Sequence, residues 1–225
     1  MIKPAKPARE NISPSDLTFG LSTCKRCLWI KYWFKVTMPG AFPLVGTMAA
    51  LQEEHFQGAD MPTIDPSLRA GKVTKWGEWV KSKPLVVNGA ESRWRILGKY
   101  DLVATNEDGT IGLIDCKVSD SQRDSGQFYS PQLEAYAYSL ENPAAGKSQT
   151  VASIGLLVWK PTTAIGTSAD DYGFGVFQKY VPVERDQANF LKVIGEFIDV
   201  LEGELPDPGP ECQTCNYLVA RNALD

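Results

Sequence analysis

Two aspartates and a lysine, Asp101 and then Asp115-Cys116-Lys117, stand in apolar runs that alternate as strands do. Carboxylates and an ammonium together can hold a cation and steady a charged ester beside it. Residues 94–105 and 110–118 read as two strands joined by Asn106-Glu107-Asp108-Gly109. The spacing predicts a type I turn over Glu107-Asp108 with Gly109 left-handed. With Asn106 opposite Thr110, Val103 then faces Leu113, Asp101 faces Asp115 and Lys99 faces Lys117, all on one side. Tyr100, Leu102, Ala104, Ile114, Cys116 and Val118 fall on the other, so one face reads as core and the other as a polar site. Directly opposed Asp side chains sit within roughly 5 Å at Cβ and repel unless a positive charge lies between them. A divalent cation is the simplest occupant.

The five cysteines carry a second signal. Cys24-x-x-Cys27 stands near the start and Cys212-x-x-Cys215 near the end, with Cys116 alone between them. Two such pairs predict a four-thiolate metal site. Tetrahedral zinc fits it by coordination chemistry, and an iron–sulfur cluster fits the ligand count. A shared metal would tie the two ends of the chain together, a large gain in loop closure. The Cys116 side chain alternates away from Asp115 and reads as a core thiol.

The elements that must position these groups follow from the pattern. A chain of 225 residues with 43% hydrophobic content supports one well-cored domain, read here as residues 13–225 behind a disordered tail at 1–12. No apolar window is long enough to cross a bilayer and the N-terminus lacks a signal-peptide core, which predicts a cytoplasmic protein with no membrane partner. A net charge of −4 argues against nucleic-acid binding by bulk charge, though not against a local basic groove.

Ser13-Pro14 starts a helix, and a largely apolar helix covers 28–36 until Met38 to Pro43 breaks it. A helix from Leu44 to about Phe56 carries Glu53, Glu54 and His55, read as a solvated face. Residues 59–82 read as irregular, with Trp76 and Trp79 as packing anchors, and Pro84 to Asn88 as a strand. The polar run Ser119 to Gly126 precedes a helix from Ser130 to Glu141, which puts Gln132 and Tyr136 on one face. Strands over Val151–Trp159 and Gly173–Val183 lead to an amphipathic helix, Glu184 to Glu202, with Phe190, Ile194, Phe197, Ile198 and Leu201 inward.

Asp101 on one strand and Asp115-Cys116-Lys117 on the next resemble the PD-(D/E)XK nuclease superfamily, with Tyr100 where that pattern has proline. Gln132 and Tyr136 resemble the Gln-x-x-x-Tyr signature of its RecB-like and CRISPR-adaptation members. The resemblance implies an α/β fold, a restriction-endonuclease-like mixed sheet core flanked by helices, its termini joined by the four-cysteine site. It also implies a metal-dependent DNA nuclease. In that reading Asp101, Asp115 and the Cys116 backbone carbonyl hold Mg²⁺ or Mn²⁺, and Lys117 orients or deprotonates the attacking water. Gln132 and Tyr136 position the substrate strand, Tyr136 by stacking on a base.

Relatives that bracket this core with cysteines hold a 4Fe-4S cluster. Cys24, Cys27, Cys212 and Cys215 are therefore expected to bind one, with Zn²⁺ as the alternative. The implied partners are DNA, as single strands or duplex ends, and proteins of a repair or CRISPR-type complex. Related nucleases place a further ligand on an early helix in the pattern G-T-x-x-H, where this chain has Ala50, leaving Glu53, Glu54 and His55 one turn on. The alternative is a metal-stapled DNA-binding or scaffold protein that keeps the fold without the chemistry.

Overall fold

The computed structural model describes residues 2–37, 43–119, 126–167 and 171–224. The N-terminal part comprises β1 (Asn11–Ile12), α1 (Pro14–Thr23), α2 (Lys25–Phe34), α3 (Pro43–His55) and α4 (Met61–Ile64). The strands β2 (Gly71–Trp76), β3 (Trp79–Lys81), β4 (Val86–Val87), β5 (Ala90–Glu91), β6 (Arg95–Lys99), β7 (Leu102–Asn106) and β8 (Ile111–Val118) follow. The chain continues through α5 (Gly126–Glu141), β9 (Val151–Ile165), β10 (Gly173–Val183), α6 (Gln187–Glu202) and α7 (Gln213–Asn222).

The fold is a mixed α/β one, with a five-stranded sheet in the order β10-β9-β8-β7-β2. Within this sheet only β8 and β9 run parallel, and α5 makes the crossover between them. Both faces of β7 and β8 are covered. Val103 and Leu113 pack with Leu133, Tyr136 and Ala137 of α5, whereas Leu102, Ala104, Ile114 and Cys116 pack with Phe56, Met61 and Ile64. This corrects the expectation of one apolar and one polar face: the site occupies only the end of an otherwise buried sheet. Beyond Trp159, where β8 ends, β9 and β10 continue as a two-stranded ribbon with Phe174 and Phe177 exposed.

A third cluster joins α1, α2 and α6 through Leu17, Leu28, Tyr32, Phe190, Ile194 and Phe197, with Trp94 and Ile96 beside them. The inward face of α6 is the one its periodicity predicts. The start of the chain is not a loose tail. β1 pairs with β6, Ile12 is fully buried and the Arg9 N–H donates to the Tyr32 carbonyl.

Further differences have local causes. Residues 59–82 hold α4, β2 and β3, and β2 forms the edge of the main sheet. The burial of β2 alternates, but its inward positions are Gly71, Val73 and Lys75, so the sequence shows no apolar alternation there. Trp76 and Trp79 are exposed rather than anchoring. The short β4–β5 hairpin turns on Asn88-Gly89, both at positive φ, a pairing that favours such turns. The helix α5 begins at Gly126 and contains Pro131, and α7 follows Cys212. The helix break placed at Met38 to Pro43 lies mainly outside the described residues, as do residues 120–125 of the polar run after Lys117.

Candidate active site

The turn at 106–109 has the expected form: Asn106 N–H donates to the Thr110 carbonyl, Gly109 N–H to the Asn106 carbonyl, and Gly109 has φ +78°. Val103 pairs with Leu113 and Leu102 with Ile114, and there the ladder ends. The chain bends at Tyr100-Asp101, so that β6 belongs to a separate sheet ordered β1-β6-β3. Lys99 therefore pairs with Trp79 and does not face Lys117, contrary to the uninterrupted hairpin; its ammonium meets Glu53 at 3.3 Å.

The bend leaves the edge of β8 beyond Ile114 without a strand partner on the β7 side, and Asp101 fills the gap. Its Oδ2 accepts the Cys116 N–H at 2.6 Å. The N–H and C=O of one strand residue point to the same neighbour, so the Cys116 carbonyl faces the same edge. The Cys116 thiol lies on the opposite side of the sheet among Leu102, Ala104 and Ile114. Two further bonds hold the bend: Tyr100 N–H donates to the Glu78 carbonyl and Gly77 N–H to the Asp101 carbonyl. Gly77 sits at φ +58°, and a Cβ there would come within 2.8 Å of Glu53 Oε2.

Asp115 is 2% exposed. Its Oδ1 accepts from Gln132 Nε2 at 2.9 Å and its Oδ2 meets Lys117 Nζ at 2.5 Å. Tyr136, one turn along α5, donates its hydroxyl to the Lys99 carbonyl at 2.8 Å. The structure thus brings Asp101, Asp115, Lys117, Gln132 and Tyr136 together. It corrects one assignment: the Tyr136 ring is 6% exposed and packed in the core, so it has no free face for a base.

The carboxylate that sequence reading set aside is Glu53. It projects from α3 toward Lys99, while Glu54 and His55 are exposed. Burial foremost, then the charge of Asp115 and more weakly that of Glu53, push the Asp101 carboxyl up to about 8. Burial works against the Lys117 ammonium, yet Asp115 and Asp101 hold its pKa above the ordinary lysine value. Asp115 and Glu53 both bear on Asp101, and the hard oxygens of Asp101 and Asp115 with the Cys116 carbonyl are of the kind that suits Mg²⁺ or Mn²⁺. The signal for Glu53 was present in its placement one turn beyond Ala50, but a helix surface carries many acids and spacing alone does not single one out.

The four cysteines of the terminal pairs also meet. Their Sγ atoms lie within 4.8 Å of one another, with Cys27 at 3.6 Å from both Cys212 and Cys215, and Cys24 at 3.9 Å from Cys215. Amide groups serve the sulfurs: Gly209 N–H donates to Cys24 and Cys215 N–H to Cys212. Burial opposes ionisation of Cys24, but the N–H donors of Cys27 and Gly209 outweigh it and bring the thiol down to about 7. Burial and the neighbouring sulfurs push Cys27 well up. Crowded thiols that resist shared ionisation are a donor set suited to a metal cation.

The family model of the PD-(D/E)XK nuclease superfamily matches residues 45–220. The chain belongs to that superfamily. Fifteen chains of solved structures match its fold. Among them, the crystal structure of SSO0001 superposes with a TM-score of 0.50 at 15% identity, covering 97% of this chain and 87% of that one. No curated protein sequence matches it. Membership supports a nuclease-type function, and no helix among the described residues is long and apolar enough to cross a membrane.

Proposed function

We propose that the protein is a metal-dependent deoxyribonuclease of the RecB-like type. The observation that carries this reading is the end of β8, where Asp115, Lys117 and the Cys116 backbone meet Asp101 at the edge β7 has vacated. Asp101, Asp115 and the Cys116 carbonyl would hold Mg²⁺ or Mn²⁺, with Glu53 completing the set. Such an ion, when bound, polarises the scissile phosphate and lowers the pKa of the attacking water. Lys117 orients that water or balances charge on the phosphate as the bond breaks. Gln132 fixes the Asp115 carboxylate and Tyr136 fixes the bend that carries Asp101, so both act as positioning residues. Their shared placement on α5 supports the RecB-like subtype, and Glu53 weakens the case for a scaffold without chemistry.

For the cysteine site we favour a single Zn²⁺ over a 4Fe-4S cluster. Zn–S bonds of about 2.3 Å set the edge of a sulfur tetrahedron near 3.8 Å. The separations of 3.6 to 3.9 Å among the closest pairs match it. A four-iron cube puts each thiolate on a different iron and so spreads the sulfurs further apart.

The nuclease reading is tested by incubating the purified protein with labelled single- and double-stranded DNA and Mn²⁺. Cleavage is expected from the wild type and is lost in Asp115→Ala and Lys117→Ala. Cleavage that survives both substitutions refutes the assignment.

A further inference from the structure

Beside the catalytic lysine stands a group of rings that the hydrolysis of a phosphodiester does not require. Lys117 Nζ lies 5.0 Å from the centroid of the Tyr129 ring. Tyr129 meets Phe19 of α1 at 5.9 Å and Phe128 at 5.2 Å, and Phe19 meets Phe128 at 5.3 Å, each pair edge to face. Tyr129 packs against the core, but Phe19 and Phe128 are 44% and 47% exposed. Single exposed apolar side chains are ordinary. Three rings in mutual contact, rooted in the core and open at the top, are a contiguous patch of the kind that marks a binding surface.

We infer that Phe19, Phe128 and Tyr129 form a base-stacking platform for an unpaired nucleobase next to the scissile phosphate. The inference rests on the nuclease reading and adds the form of the substrate. A phosphate brought to Lys117 carries its neighbouring bases to within reach of the rings, because Tyr129 is in cation–π range of that ammonium. Ring faces bind bases without regard to sequence, but bases inside a continuous duplex have no free face to offer. The platform therefore selects single strands and frayed ends over internal duplex. Continuity with the catalytic group sets nucleic acid apart from a protein as its occupant.

The test is equilibrium binding by fluorescence anisotropy in Ca²⁺, using a single-stranded oligodeoxynucleotide, the same strand with abasic sites at its centre, and a blunt duplex. Wild type is compared with F19A/F128A and with F19L/F128L, which keeps apolar packing without aromatic faces. Both variants are expected to lose about tenfold in affinity for each base no longer stacked. That loss disappears on the abasic strand, and the duplex is bound as before. Unchanged single-strand affinity, or an equal loss on base-bearing and abasic strands, overturns the platform. So does a change of oligomeric state with unaltered DNA binding, which would make the rings a protein contact. A protein that binds as expected but never cuts fails the nuclease reading alone, whereas one that cuts with variant affinities unchanged fails the platform alone.

Discussion

The hydroxyl of Tyr136 donates to the backbone carbonyl of Lys99 at 2.8 Å, pinning the last residue of β6 to α5 just before the chain bends into Asp101. Tyr136→Phe keeps the ring and strands that carbonyl in a part-buried setting, a cost of about 1–3 kcal/mol. Outer partners of metal ligands are worth about 10- to 100-fold in affinity or activity. Tyr136→Phe is therefore expected to weaken Mn²⁺ activation by such a factor with the KM for DNA little changed. Denaturant unfolding and a Mn²⁺ titration of cleavage read the two effects separately, and a KM effect alone would return Tyr136 to substrate contact.

Glu53 meets the Lys99 ammonium at 3.3 Å from α3 and lies close enough to Asp101 to help raise its carboxyl pKa. Glu53→Gln removes charge and leaves the shape, so the Mn²⁺ concentration needed for half-maximal cleavage is expected to rise about tenfold or more. Glu54→Gln, on the exposed face, serves as the control and leaves it unchanged. Equal behaviour of the two variants would return Glu53 to the solvated surface.

The raised Asp101 carboxyl gives metal-free protein a definite pH dependence. Its pKa rises to about 8 through burial first and Asp115 second, against about 3.9 for an unfolded aspartate. Between those values the folded chain binds the extra proton, so this group's contribution to stability falls as pH rises from about 4 to about 8. Urea midpoints in chelator are expected to decline across that window and to flatten in Asp101→Asn. Added Mg²⁺ competes with the proton and so stabilises more at the alkaline end. A wild-type profile parallel to that of Asp101→Asn would contradict the assignment.

The thiol site is expected to contain one zinc per chain by elemental analysis and to show no visible charge-transfer band. A shared ion closes a separation of 191 residues between Cys24 and Cys215. Cys212→Ser, or a strong chelator, should cost about 4 kcal/mol or more by the loop-closure argument. A brown protein with an iron-dependent absorbance would restore the cluster.

Much of this architecture was open to reading in the residues themselves. Alternation and the Gly109 turn place Val103 opposite Leu113, as found, because a hairpin register follows from its loop. The inward face of α6 follows from spacing alone. The break between β6 and β7 was hidden, since an extended run has the same pattern whichever sheet each half joins. The strand β2 carries no apolar period because two of its three inward positions are Gly71 and Lys75. The Asn88-Gly89 pair is a turn signal in the sequence itself, and both residues take positive φ. Glu53 was in view, but only the packing of α3 singles it out from Glu54 and His55.

Cys24 and Cys27 precede the stretch matched by the superfamily, whereas Cys212 and Cys215 fall inside it. An expression fragment trimmed to the recognisable nuclease region would thus carry two orphaned thiols and lack β1, α1 and α2. It is a poor proxy for the 225-residue chain: it would be prone to oxidative cross-linking, and inactivity in it would say nothing about Asp101 and Asp115.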